Sequence, residues 1–136
     1  MRTWILSVAA AFFCWGVWAF LPKLTVRYID PRSAVIFGAL GGLLVAIILA
    51  FSLGFRIQTD PRGIGLALLT GVLGVAGAMA FLFAARSGPI SIVATVTALY
   101  PILTIILAAV FLAEPVTARQ WAGMVLGFIA IALIAA

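Results

Sequence analysis

Long apolar segments alternate with short polar gaps along the whole chain. The apolar segments cover residues 4–21, 33–55, 63–85, 90–113 and 118–136. An α-helix needs about 20 residues to cross a bilayer, and each segment is close to that length. The pattern therefore predicts five membrane-spanning helices joined by short loops, with no soluble domain.

The first apolar segment continues beyond the small-residue run Ala9–Ala11 and reaches Leu21. This length favours a membrane span over the core of a cleaved signal peptide. Two gaps carry helix start signals, because Asp30-Pro31 and Asp60-Pro61 each place a capping aspartate before a proline at the first helical position. The third segment is predicted to end at Ser87-Gly88-Pro89.

The gap between the fourth and fifth segments carries a stop signal and a start signal. Glu114-Pro115 ends the fourth helix, because the residue before a proline is pushed out of helical geometry. Thr117 and Gln120 have the spacing of a capping box at the start of the fifth helix. Glu114 and Pro115 are therefore assigned a structural role in this turn.

Pro101 lies near the middle of the fourth segment. It has no backbone N–H, so in a continuous helix the carbonyl of Thr97 loses its partner. In hydrocarbon, such a carbonyl is costly unless protein, water or a ligand meets it. Thr97, Tyr100 and Thr104 follow helical spacing and are predicted to share one face. This polar cluster beside a proline favours a segment that lines a substrate path.

The alternative is a kinked helix without a ligand. Prolines kink many membrane helices, and a threonine hydroxyl can bond back to a carbonyl one turn earlier. The same question arises in the first span, which is predicted to continue past Pro22 towards Tyr28 and to lose the partner of the Trp18 carbonyl. Lys23 follows directly. Either its ammonium snorkels to the headgroups, or it faces a wet cavity, where an intramembrane charge is usually functional.

The composition strengthens the membrane interpretation. Hydrophobic residues make up 67% of the 136 residues and charged residues 8%, with a mean hydropathy of +1.38. This is more apolar surface than a soluble core needs, so a polytopic membrane protein is expected. The net charge of +5 comes from eight basic and three acidic residues. Nearly all lie between the apolar segments, which indicates membrane anchoring and not nucleic-acid binding.

Candidate catalytic chemistry is sparse. Cys14 is the single cysteine and histidine is absent. No disulfide within the chain and no cysteine-based metal site are therefore expected. The sequence offers no cluster of catalytic groups, so we predict neither an enzyme nor a bound metal or cofactor.

The C-terminal half contains a series of short motifs in a fixed order. They are Gly88-Pro89, Leu99-Tyr100-Pro101, Phe111-Leu112-Ala113-Glu114, Arg119-Gln120-Trp121 and Gly123. The series resembles the EamA-like family of the drug/metabolite transporter superfamily, which shows a small-residue–proline turn, a proline in the next span, an acidic residue closing it and a Gln-x-x-Gly entry to the last span. Trp15-Gly16 and Lys23 are similar to the first-helix Trp-Gly and the later lysine of that family.

The resemblance implies an all-α fold in which residues 1–136 form one five-helix transmembrane domain, half of a ten-helix drug/metabolite transporter-like fold. Many members carry two such units fused in opposite orientation. The resemblance therefore implies a second chain, either an antiparallel homodimer or a related five-helix partner. The small multidrug-resistance relatives use a first-span glutamate for proton-coupled cation exchange. The first span here has no acidic residue, which argues against that route.

The function expected from these observations is a secondary transporter for small metabolites, multi-pass in the lipid bilayer of a prokaryotic inner membrane. The substrate path is expected to include Trp15, Lys23, Thr97, Tyr100, Pro101 and Thr104. The alternative is a non-transporting membrane subunit that packs against another membrane protein. Gly38-x-x-x-Gly42 and Gly123-x-x-x-Gly127 suit such packing, because glycine lets two helix backbones approach closely.

The loop charges give almost no orientation signal. Five spans place two groups of four basic residues on opposite sides: Arg2, Arg56, Arg62 and Arg119 against Lys23, Arg27, Arg32 and Arg86. Orientation normally follows the Lys/Arg bias of short loops. Two outcomes stay open: Arg2 and the N-terminal amine tip the balance inward and give one topology, or the chain inserts both ways and pairs with an inverted copy.

Overall fold

The computed structural model describes residues 3–135, and its regular structure over that range is α-helical throughout. The helices are α1 Thr3–Thr25, α2 Pro31–Ser52, α3 Pro61–Ser87, α4 Ile90–Thr97, α5 Tyr100–Phe111 and α6 Ala118–Ala135. In the described range, α1, α2, α3 and the stretch Ile90–Phe111 are long and apolar enough to span a bilayer, and α6 adds a shorter apolar helix. The predicted all-helical membrane fold with five apolar segments is confirmed.

Two aspartates begin α2 and α3 as predicted. The Asp30 carboxylate accepts hydrogen bonds from the backbone N–H groups of Arg32 at 2.9 Å and Ser33 at 3.2 Å. The Asp60 carboxylate accepts one from the N–H of Gly63 at 2.8 Å. These N–H groups lie in the first turn and have no partner within their helix. Hydrogen bonds from the Ser33 side chain and backbone hold the pKa of Asp30 below its ordinary value of 3.8, so this cap is ionised at neutral pH.

The capping box predicted at the start of α6 is also confirmed. The backbone N–H of Thr117 donates to the side-chain oxygen of Gln120 at 2.7 Å, and the backbone N–H of Gln120 donates to the Thr117 hydroxyl oxygen at 3.3 Å. Each side chain thus satisfies a backbone donor of the other residue.

Two helices end in residues with left-handed backbone. After α2, Gly54 and Phe55 have φ of 57° and 58°, and the Phe55 N–H donates to the carbonyl of Ala50 at 2.9 Å. After α5, Ala113 has φ of 54°, and the Glu114 N–H reaches back to the carbonyl of Ala108 at 3.3 Å. The backbone of Glu114 therefore helps to close α5, which is consistent with the structural role predicted for the Glu114-Pro115 turn.

The chain divides into two compact units, Met1–Ser87 and Gly88–Ala136. We call them unit 1 and unit 2; one domain over residues 1–136 stays a prediction. In unit 1, α3 packs against both α1 and α2, and in unit 2, α6 packs against α4. The buried residues of unit 1 cluster where α1 ends, α2 begins and α3 ends: Pro22, Pro31, Ala34, Phe81, Leu82 and Ala85. Unit 1 is thus most tightly packed at one end.

We predict opposite stability effects at the two helix ends. Left-handed backbone costs an L-residue with a side chain roughly 1–2 kcal/mol, and glycine avoids this cost. Gly54→Ala should therefore lower the free energy of unfolding by about 1 kcal/mol, and Ala113→Gly should raise it by a similar amount. Reversible unfolding in mixed micelles, followed by circular dichroism, would measure both changes. Gly71→Ala is the comparison for a methyl group added at ordinary helical backbone: a Cβ there meets nothing within 4 Å, so this variant should raise the free energy of unfolding by about 0.5–1 kcal/mol. A loss of stability in Ala113→Gly would contradict the prediction.

Candidate functional site

The fourth apolar segment is interrupted beside Pro101. α4 ends at Thr97 and α5 begins at Tyr100, so Ala98 and Leu99 form a turn between them. The Leu99 N–H donates to the carbonyl of Val96 at 3.2 Å, and the Leu99 carbonyl accepts from the N–H of Ile102 at 2.9 Å. The sequence predicted a helix kinked by Pro101, and the structure shows α4 and α5 joined by this two-residue turn, in which the backbone of Ala98 and Leu99 stays right-handed helical. Pro101 lies in the first turn of α5, where a missing N–H carries little penalty.

The residues of the predicted polar cluster are divided between two helices. Thr97 belongs to α4 whereas Tyr100 and Thr104 belong to α5, and their shared face stays a prediction. The Thr97 hydroxyl donates to the carbonyls of Val93 at 2.8 Å and Ala94 at 3.0 Å. The Thr104 hydroxyl donates to the carbonyl of Tyr100 at 3.3 Å. Both hydroxyls are therefore engaged as donors on their own helices and offer a ligand mainly acceptor lone pairs.

Pro101 lines a groove of about 300 Å³ between α5 and α6 in unit 2. Gly123 and Gly127 on α6 line its other side. The buried side chain of Met124 also contributes to the lining. Gln120 is the polar residue of the lining, and its amide oxygen is already bonded to Thr117. The other three predicted residues of this span are exposed and do not line the groove: Thr97, Tyr100 and Thr104. Their role in a substrate path stays a prediction.

Pro22 is accommodated differently from Pro101. α1 continues through Pro22 to Thr25, and the Val26 N–H donates to the Pro22 carbonyl at 3.0 Å. The predicted continuation of the first helix past Pro22 is thus confirmed. Pro22 is buried within unit 1 and does not divide its span. The two prolines, which looked equivalent in the sequence, have different structural effects.

Lys23 caps the end of a distant helix. Its Nζ donates a hydrogen bond to the carbonyl of Ala85 at 2.8 Å, across 62 residues of sequence. Ala85 lies in the last turn of α3, where carbonyl groups lack partners within the helix. The ammonium also meets the negative end of the α3 dipole. The sequence suggested a headgroup or a cavity as the surroundings of Lys23, and this helix end was missed.

Unit 1 contains a second groove, of about 460 Å³, between α1, α2 and α3. We call it the unit 1 groove. Its lining is mostly apolar and includes Trp18, Pro22, Gly42, Gly74 and Leu82. The Trp18 ring packs against Phe81 with 5.5 Å between ring centroids.

Trp18 lines the unit 1 groove, and the place of Trp15 in a substrate path stays a prediction. Trp15 is 62% exposed and does not line the groove. Trp15 and Trp18 are offset by only about 60° around the helix axis and lie nearly one turn apart along it, and Trp18 is the one that packs against Phe81. Only the position of α3 distinguishes the two, and no local sequence pattern specifies it.

Comparison with known proteins places the chain in a family. No solved structure matches it significantly. An uncharacterized protein of Methanocaldococcus jannaschii is 30% identical over 130 residues, which are 96% of this chain and 93% of that protein. The profile of the EamA-like transporter family matches residues 2–136. With four membrane-length helices between residues 3 and 135, the chain is an integral multi-pass membrane protein, and it belongs to the EamA-like transporter family.

Proposed function

We propose that the chain is a secondary transporter for small metabolites that works as a dimer of five-helix chains in a prokaryotic inner membrane. Its family supports a transport role. The observation that carries the proposal is the interruption at Ala98 and Leu99, close to the middle of the span Ile90–Phe111. Substrate sites of secondary transporters commonly lie near the bilayer midplane at discontinuous helices, whose ends offer backbone groups.

The residues proposed for the substrate path are those expected from the sequence: Trp15, Lys23, Thr97, Tyr100, Pro101 and Thr104. Tyr100 begins α5 and is 58% exposed, so unit 2 does not bury its phenol. Lys23 brings a positive charge to the end of α1, where a carboxylate or phosphate can compete with the Ala85 carbonyl for its N–H groups. A counterflow screen of metabolites in proteoliposomes tests the proposal directly.

One observation favours the alternative of a non-transporting membrane subunit. Both grooves are almost wholly apolar, and the Thr25 hydroxyl, like those of Thr97 and Thr104, donates to a carbonyl of its own helix at 3.0 Å. Apolar grooves with small residues suit the packing of a partner helix. A purified chain that moves no solute but co-purifies in fixed ratio with another membrane protein would favour this alternative.

Pro101→Ala should impair transport. The substitution restores a backbone N–H that can reach the Thr97 carbonyl, and so favours one continuous helix in place of α4 and α5. We expect counterflow of a transported metabolite to slow by about tenfold or more, which corresponds to about 1.4 kcal/mol in the barrier. Val110→Ala is the matched control, because Val110 lies on α5 and is exposed. An unchanged rate in Pro101→Ala would remove the support that the interrupted helix gives to the proposal.

Lys23→Gln should impair the uptake of solutes that carry a negative group and spare that of other solutes. We expect uptake of anionic or zwitterionic solutes to fall by about tenfold, since a charge-assisted hydrogen bond contributes about 1.5–3 kcal/mol, while insertion into the membrane is retained. Lys23→Arg is the control that keeps the cation. Equal losses for neutral, cationic and anionic solutes would show that Lys23 acts through its bond to Ala85, by holding the fold.

The balanced loop charges predict dual insertion with an antiparallel pair. A single cysteine added after Ala136, in a Cys14→Ala background, should be labelled in intact cells by an impermeant thiol reagent to about half, because neither side carries a Lys/Arg excess. One arginine added to either side should shift the labelling strongly. Labelling that is complete or absent, and insensitive to added arginine, would instead favour a parallel dimer or a hetero-oligomer.

A further inference from the structure

The tightly packed end of unit 1 carries four basic residues. The hydrogen bond from Lys23 to Ala85 and the burial of Pro31 bring the end of α1, the end of α3 and the start of α2 together. Three exposed arginines lie at these helix ends: Arg27 just after α1, Arg32 in the first turn of α2 and Arg86 in the last turn of α3. The acidic residue of this end is Asp30, whose carboxylate accepts from Arg32 and Ser33. The basic end, defined by these arginines with Lys23, therefore carries an excess of positive charge.

The unit 1 groove begins at the basic end and extends into the membrane. On α2 its lining runs from Ala34 to Gly42, a rise of about 12 Å at 1.5 Å per residue. At Gly38, Gly42 and Gly74 an added Cβ would meet nothing within 4 Å, so the groove is not filled by neighbouring side chains of unit 1. Its size of about 460 Å³ lies within the range of ligand pockets.

We infer that the unit 1 groove holds an acyl chain of an anionic phospholipid, whose headgroup lies against Arg27, Arg32 and Arg86. An apolar groove within a membrane span fits a hydrocarbon chain. Basic residues clustered at the ends of neighbouring spans attract anionic headgroups. The acyl chain of a zwitterionic lipid would fill the groove, but its headgroup has no net charge to neutralise the basic residues at the rim. The groove and the basic residues together therefore select an anionic amphiphile.

Fluorescence quenching by brominated lipids tests this inference, because Trp18 lines the groove. The probe is a variant that keeps only Trp18, made by Trp4→Phe, Trp15→Phe and Trp121→Phe, in vesicles of phosphatidylcholine. Phosphatidylglycerol or phosphatidylcholine brominated on the acyl chain is then added in equal amounts. We expect brominated phosphatidylglycerol to occupy the site at least about fivefold more strongly, the effect of one basic residue near a membrane surface. This preference should shrink at high salt, which screens exposed charges.

A second single-tryptophan variant provides the control. Trp15, outside the groove and exposed, should be quenched equally by the two lipids. Gly42→Leu should reduce the quenching of Trp18 by filling the groove. Arg32→Gln combined with Arg86→Gln should reduce only the preference for phosphatidylglycerol. The matched pair Arg56→Gln and Arg62→Gln, at the opposite ends of α2 and α3, should leave it unchanged.

Two results would overturn the inference. Equal quenching of Trp18 by the two lipids would show that the basic end selects no headgroup. Absence of quenching by either lipid would show that protein, from this chain or a second copy, covers the groove. The measurement requires no transport, so its outcome is separate from that of the counterflow screen and from the proposed function.

Discussion

The need to satisfy every backbone polar group away from water is the constraint on which this structure depends. Hydrocarbon offers no hydrogen bonds, so an interruption within a span requires a partner from the chain itself, and the helix ends carry caps as well. Aspartates supply these partners at the starts of α2 and α3, and a Thr–Gln pair supplies them at the start of α6. At the end of α3 the partner is the ammonium of Lys23 on another helix. This last bond joins local capping to tertiary packing.

The same constraint explains why two prolines in similar apolar surroundings differ in effect. Pro22 is followed by only a few helical residues, and α1 continues through it to Thr25 while unit 1 buries the ring. Pro101 lies in the middle of a full span, and there the chain forms a turn in which the Leu99 carbonyl is bonded by Ile102. Because the proline then sits in the first turn of α5, its missing donor leaves no gap within a helix.

Features that depend on local chemistry were predictable from the sequence, and features that depend on contacts between helices were not. The apolar segments, the capping aspartates and the Thr117–Gln120 box each involve residues a few positions apart, so spacing alone specifies them. The bond between Lys23 and Ala85, in contrast, joins residues 62 positions apart. The choice of Trp18 over Trp15 for the groove likewise depends on where α3 packs. No sequence pattern identifies which backbone carbonyl a lysine side chain will bond, because every residue has one.

The capping of α3 by Lys23 also bears on how the chain can sit in a bilayer. This bond, like the caps at the helix starts, lies within a single chain and refers to neither face of the membrane. Inverting the molecule would leave every one of these bonds intact, so the folded state carries no internal preference for one orientation. Sidedness would then be decided at the moment of insertion, by the charges of the loops and the lipids that meet them. Two inverted molecules of this chain would have the same internal energy.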